Sequence, residues 1–131
     1  MGIVVGYLAT PEGHAALDAA VEEARRRSVP VVVVLSTRPD EPQERREQTR
    51  RDLEGVREEL DSLGVAHDIR LLEGGDVADD LISTAESVGA ELIVLGLRRR
   101  SPVGKLILGS NAQRVLFDAP CPVLTVKPGP S

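Results

Sequence analysis

The sequence predicts a single α/β domain, an open parallel sheet of five strands with helices on both faces. Three observations predict it. Short apolar runs alternate with longer segments whose apolar residues recur at helical spacing, the pattern of repeated β-α-β units. The run Val31 to Leu35 is apolar throughout and mostly valine, as in a central strand covered on both sides. No linker, repeat or low-complexity segment interrupts the 131 residues, a length that supports one domain with its own core. The domain is assigned to residues 1–127, with 128–131, Pro-Gly-Pro-Ser, as a tail.

The elements follow in order. Ile3 to Val5 is a short strand with Gly6 to Thr10 as its exit loop. Thr10-Pro11 starts a helix, with Thr as cap and Pro at the first helical position. Leu17, Ala20, Val21 and Ala24 give that helix its buried stripe, and Arg25 to Arg27 suit the negative end of its dipole. After the strand Val31 to Leu35 and a proline-containing loop, Glu44 to Leu63 is a charged surface helix. Its narrow seam is Leu53, Val56, Leu60 and Leu63, and its turns before Arg51 lack a stripe and are expected to fray. Gly64 fits a left-handed C-cap with Val65 set to touch Leu60. His67 to Leu72 is the third strand, ended by Gly74-Gly75. Asp76, three residues before Asp79, caps the next helix, whose stripe is Ala78, Leu81, Ile82, Ala85 and Val88, closed by Gly89. Leu92 to Leu95 is the fourth strand. A short helix with Val115 and Leu116 inward ends before Pro120, and Pro122 to Val126 is the fifth strand.

Composition excludes several function classes. One Tyr and one Phe give no stacking platform for single-stranded nucleic acid. A net charge of -5 opposes general affinity for nucleic acid or an anionic membrane, and no apolar run is long enough to span a bilayer. The single Cys121, between two prolines, makes neither an internal disulfide nor a metal site. With no signal peptide opening the chain, a reduced thiol suits the cytoplasm.

The stretch richest in chemistry is Glu91 to Asn111. Gly96 stops the fourth strand, a basic loop carries Arg98, Arg99, Arg100 and Lys105, and Gly109-Ser110 precedes a helix that Asn111 begins. Ser110 lies three residues before Gln113, as in a capping box, which would engage its hydroxyl as a cap. A loop from the carboxyl end of a strand to a helix N-terminus presents free N–H groups and the positive dipole end, where phosphate binds. An ordinary capped helix beside a solvated basic loop explains the same residues. In sheets of this class ligands sit beyond the strand ends where strand order reverses, so the loops Gly6 to Pro11 and Gly96 to Ser110 should meet at one crevice.

These residues resemble the universal stress protein family. The resemblance runs from the first strand to Lys127 and is most specific in Gly96, Gly109-Ser110, Arg114-Val115-Leu116 and Ala119-Pro120-Cys121-Pro122-Val123, with Gly75-Asp76 and Ala90 to Val94 alongside. It implies a Rossmann-like sheet of the adenine nucleotide alpha hydrolase type, in the order 3-2-1-4-5. It also implies a stress-response module that binds ATP or a related adenine nucleotide, or phosphate, with Mg accompanying the nucleotide. By the family pattern G-x-x-G-x9-G-S/T, Gly96 supplies the first glycine and Gly109 and Ser110 the last pair, whose backbone and hydroxyl would hold phosphate; Asn111 and, in the first loop, Thr10 count with the binding residues, and the region around Val34 and Leu35 would form the base pocket. Two positions depart. Arg99 stands at the second glycine, where it either blocks close backbone approach or adds a cation for phosphate oxygens. Leu8 stands where nucleotide-binding members carry an Asp, and it can pack on the base but cannot replace the carboxylate. The resemblance further implies a homodimer through the fifth strand, Val123, Leu124, Thr125 and Val126, whose edge would otherwise lie open. The departures leave a second reading in place, a dimeric interaction scaffold of the same fold that binds no nucleotide.

Other signals carry less. Gly104-Lys105 is not a P-loop, because Arg99 and Leu106 stand where Gly and Ser or Thr are required. His14 and His67 lie on separate elements without a ligand cluster, and Tyr7 is expected to pack. Leu8 and Ala9 lack the acidic cluster of a phosphoacceptor domain. No general base stands beside the phosphate loop, so an enzyme is not expected.

Overall fold

The computed structural model describes residues 1–8, 10–73, 76–97 and 109–128. Nine elements follow one another: β1 (Ile3–Gly6), α1 (Pro11–Arg27), β2 (Val31–Ser36), α2 (Gln43–Leu63), β3 (His67–Leu72), α3 (Val77–Val88), β4 (Leu92–Gly96), α4 (Ser110–Asp118) and β5 (Val123–Val126). All strand pairs are parallel and the sheet order is β3-β2-β1-β4-β5. Strand order therefore reverses between β1 and β4. Gly74, Gly75 and the basic loop from Arg98 to Lys105 lie outside the described residues.

The pleat divides the valine-rich strands between two cores. Ile3, Val5, Val31, Val33 and Leu35 point to one face, where Leu17, Ala20 and Ala24 of α1 and Val56 and Leu60 of α2 cover them. Val4, Val32, Val34, Ile93 and Leu95 point to the other, against Ala78, Leu81 and Ala85 of α3 and Val115 of α4. Strands buried on both faces need no polar alternation, which is why these runs read as continuous apolar sequence.

Helix ends match local chemistry closely. Thr10 Oγ1 accepts from the Gly13 N–H at 3.1 Å with Pro11 at the first turn, and the Asp76 side chain accepts from the Asp79 N–H at 3.0 Å. Gly64 and Gly89 take left-handed torsions, with φ of 67° and 61°, and satisfy the last carbonyls of α2 and α3. Val65 donates its N–H to Leu60 and joins the same core. The cap of α1 is different: Ser28 adopts φ 57° where glycine usually stands, a feature the sequence does not announce.

Three expectations change. α2 starts at Gln43 and stays helical through the turns before Arg51, because the Arg46 guanidinium donates to the carbonyls of Pro39 and Glu41 and ties the helix to its entry loop. Its seam is narrower than expected. Val56 and Leu60 are buried and Leu53 half-buried, but Leu63 is 40% exposed at the margin of the stripe, while its carbonyl accepts from Arg25 at 2.6 Å. On α4, Val115 is fully buried and Leu116 is exposed, since successive residues diverge by about 100° and this short helix packs along one line.

Because α2 is anchored through so few side chains, Leu60→Ala should destabilise the fold by about 2–5 kcal/mol. Urea unfolding with an unchanged m-value checks this; a cost below about 1 kcal/mol would mean the seam does not hold α2.

Candidate functional site

A cavity of about 340 Å³ opens at the carboxyl ends of β1, β2 and β4, among the described residues. Gly6, Tyr7 and Leu8 bring the β1 exit to it, and Leu95, Gly96 and Leu97 the β4 exit. The two loops do meet at one crevice. Val34, Leu81, Leu95 and Val115 make an apolar floor, and Gly109, Ser110 and Asn111 form the rim at the start of α4. A second cavity of about 270 Å³ adjoins it between the β2–α2 loop and α3. It shares Ser36, Val77 and Asn111 with the first, and Thr37, Arg38, Glu41 and Asp76 complete its wall.

The start of α4 differs from the expected capping box. Gly109 is the N-cap, Ser110 is already helical, and among the described residues no side chain caps the helix. The first intrahelical bond runs from the Gln113 N–H to the Gly109 carbonyl at 3.0 Å. The N–H groups of Ser110, Asn111 and Ala112 thus have no acceptor within the helix, and the Ser110 hydroxyl is not spent on capping. Moving the helix start by one residue leaves a set of donors at the cavity rim.

Among the residues expected at the site, the structure brings together Gly96, Gly109, Ser110, Asn111, Leu8 and Val34. Leu8 is 55% exposed at the mouth. Leu35 does not belong to the cavity: the strand pleat turns it into the core beneath α1. Thr10 does not line it either, since its side chain caps α1. Arg99 lies outside the described residues. Tyr7 is buried as expected, with its hydroxyl 3.4 Å from His14 Nδ1 and the two rings edge-to-face at 5.5 Å. Burial, with Asp52 and Glu59 nearby, holds the Tyr7 phenol above its ordinary range. Sequence reading missed Ser36, Val77 and Leu81. Period-two alternation from Val34 was the available signal for Ser36.

Gly96 has a structural duty that its sequence context does not reveal. A Cβ there would overlap the backbone carbonyl of Glu12 in the first turn of α1. A Cβ at Gly13 would likewise overlap the Leu8 carbonyl. These glycines let α1 begin directly against the β1 and β4 exits.

Charged side chains brace the walls. Ser36 Oγ donates to Asp80 Oδ2 at 2.7 Å, tying the end of β2 to α3. Arg114 of α4 pairs with Asp76 at 3.2 Å and with Asp79, both in the first turn region of α3, and with Asp118 at 3.9 Å. The backbone N–H of Asp79, with Arg114 behind it, holds the Asp76 carboxyl below the usual aspartate range. Burial pushes the Cys121 thiol up, against thiolate chemistry. Among the described residues no group of three potential metal ligands occurs, and no helix is long and apolar enough to cross a membrane. His14 contacts Tyr7, and His67 meets the Val65 carbonyl at 2.8 Å and Asp61 at 3.6 Å.

Comparison with known proteins places this geometry in company. The model of the Universal stress protein family matches residues 1–127. A universal stress protein of Mycolicibacterium smegmatis is 44% identical over 96% of this chain and 97% of its own length. A universal stress protein structure from Archaeoglobus fulgidus superposes with a TM-score of 0.82 at 36% identity, covering 97% of this chain and 98% of that one. Another from the same organism, in complex with dAMP, superposes with a TM-score of 0.78 at 30% identity, covering 97% and 98%.

Two outcomes are expected. Gly96→Ala should cost about 1–3 kcal/mol in chemical denaturation without any ligand present, because the obstacle is backbone. An unchanged midpoint would mean that α1 can retreat. Asp76 has a lowered pKa in the folded state, so its contribution is present above the unfolded aspartate value and lost as pH falls through the folded one. Stability should therefore fall as the pH drops below about 4. Asp76→Asn, which keeps a capping oxygen, should flatten that part of the profile; an identical profile would remove Asp76 as a contributor.

Proposed function

The chain belongs to the universal stress protein family, and on that premise we propose that its crevice binds an adenine nucleotide as part of a stress-response regulatory role. The observation that carries the reading is the form of the cavity. One end presents the N–H groups of Ser110, Asn111 and Ala112, which have no acceptor within α4, and the other is the apolar floor of Val34, Leu81, Leu95 and Val115. A nucleotide has the matching polarity: an anionic phosphate for the helix N-terminus and a flat base for the apolar end. The 30%-identical Archaeoglobus relative in complex with dAMP supports the same class of ligand.

On this reading the protein is a binding module and not an enzyme. ATP with Mg, ADP and AMP are all candidate ligands, and the phosphate end would also take an inorganic anion. The module acts in the cytoplasm as a homodimer joined through β5, where Val123 to Val126 form the sheet edge and Leu124 is exposed. Neither nucleic acid nor membrane is a partner. A scaffold dimer without nucleotide is the second reading, favoured by Leu8, whose exposed apolar side chain stands at the cavity mouth.

Calorimetric titration with ATP, ADP and AMP should give binding at millimolar ligand or below. Gly109→Asp should weaken it more than tenfold by setting a carboxylate against the phosphate. The same change should leave thermal stability intact, since Asp is a favoured N-cap. No heat and no thermal shift with any of the three would select the scaffold reading.

A further inference from the structure

We propose that Ser36, oriented by Asp80, selects the base: its hydroxyl oxygen accepts the 6-amino group of adenine and disfavours a 6-oxo purine. This rests on the nucleotide reading above and specifies how that site would discriminate.

The argument begins with position. If phosphate sits on the Gly109–Asn111 rim, the remainder of the ligand runs from β4 across β1 toward β2, two strand spacings or about 10 Å away. There the wall is Val34, Ser36, Val77 and Leu81. Among the described residues that line the β1, β2 and α3 side of the cavity, the polar side chains are Tyr7 and Ser36. The Tyr7 hydroxyl is turned to His14. Leu8 offers no polar group. Among the described residues Ser36 is thus the side chain that can read a base edge from that side.

Its chemistry has a sign. A serine hydroxyl has one proton and two lone pairs. The proton is directed to Asp80 Oδ2 at 2.7 Å, a bond to a carboxylate oxygen that can only accept. Toward the cavity Ser36 therefore presents an acceptor. Adenine places an N–H donor at C6. Hypoxanthine and guanine place a carbonyl oxygen there, and two facing acceptors repel unless Ser36 gives up Asp80. Giving it up leaves the half-buried carboxylate without this donor, which is unfavourable. The alternation that puts Val34 in the floor also puts Ser36 at its edge, so apolar packing and hydrogen-bond readout come from one strand face.

AMP and IMP differ in this way at the purine 6-position, and calorimetry with both tests the idea. The wild-type protein should bind AMP about tenfold tighter than IMP. Ser36→Ala should bring the ratio to within about threefold, mainly by weakening AMP, while Ser36→Thr, which keeps the hydroxyl, retains the preference. Asp80→Asn supplies an amide that can donate to Ser36 Oγ and free its proton, so the preference should shrink or invert; a purely structural brace would not change its sign. Thermal melts establish that each variant is folded. Equal wild-type affinities, or an unchanged ratio in Ser36→Ala, overturn the assignment of Ser36 and leave the nucleotide reading standing. A wild-type protein that binds neither nucleotide removes both.

Discussion

The first turn of α1 runs against the β4 exit with no space for a side chain between them. Glu12 offers its carbonyl where a Cβ of residue 96 would be, and Gly13 faces the Leu8 carbonyl with the same lack of room. This backbone-on-backbone approach fixes how closely the start of α1 sits against the β1 and β4 exits, and the cavity is what remains between those exits and the starts of α3 and α4. The apolar cores hold the sheet and helices together, but they would tolerate small shifts along their axes. Two glycines in contact with carbonyls do not, because the obstacle is main chain.

The other walls are set by polar ties between elements distant in sequence. Ser36 joins β2 to α3 through Asp80, and Arg114 joins α4 to the start of α3 through Asp76 and Asp79. All these carboxylates lie in or beside the first turn of α3, where the helix dipole favours negative charge and Asp76 also caps the backbone. One helix start thus serves three purposes: it satisfies its own amides, anchors α4 and orients the Ser36 hydroxyl. Arg114 and its partner Asp76 are each nearly half exposed, so their pairing contributes alignment more than stability.

Much of the architecture was legible because it depends on local rules. Thr10-Pro11, Asp76, Gly64 and Gly89 mark helix ends through hydrogen bonds made within a few residues. The site was legible only in outline. Gly109, Ser110 and Asn111 fall at the cavity, yet Ser110 is the first helical residue and not the cap, a difference of one position that decides whether its hydroxyl is spent as the cap. Leu35 was placed with Val34 by proximity in sequence, and the pleat sends it to the opposite core.

The sequence by itself determined the element order, the parallel sheet and the two strand exits at which a ligand can sit, since periodicity, caps and composition act over short stretches of chain. Only the tertiary structure decided that Gly96 is required by α1 packing, that Thr10 is spent as a cap, and that Ser36 meets Asp80 across 44 positions of chain. Such facts depend on which distant atoms come within van der Waals or hydrogen-bond range, and a pattern read along one strand or helix contains no term for that distance.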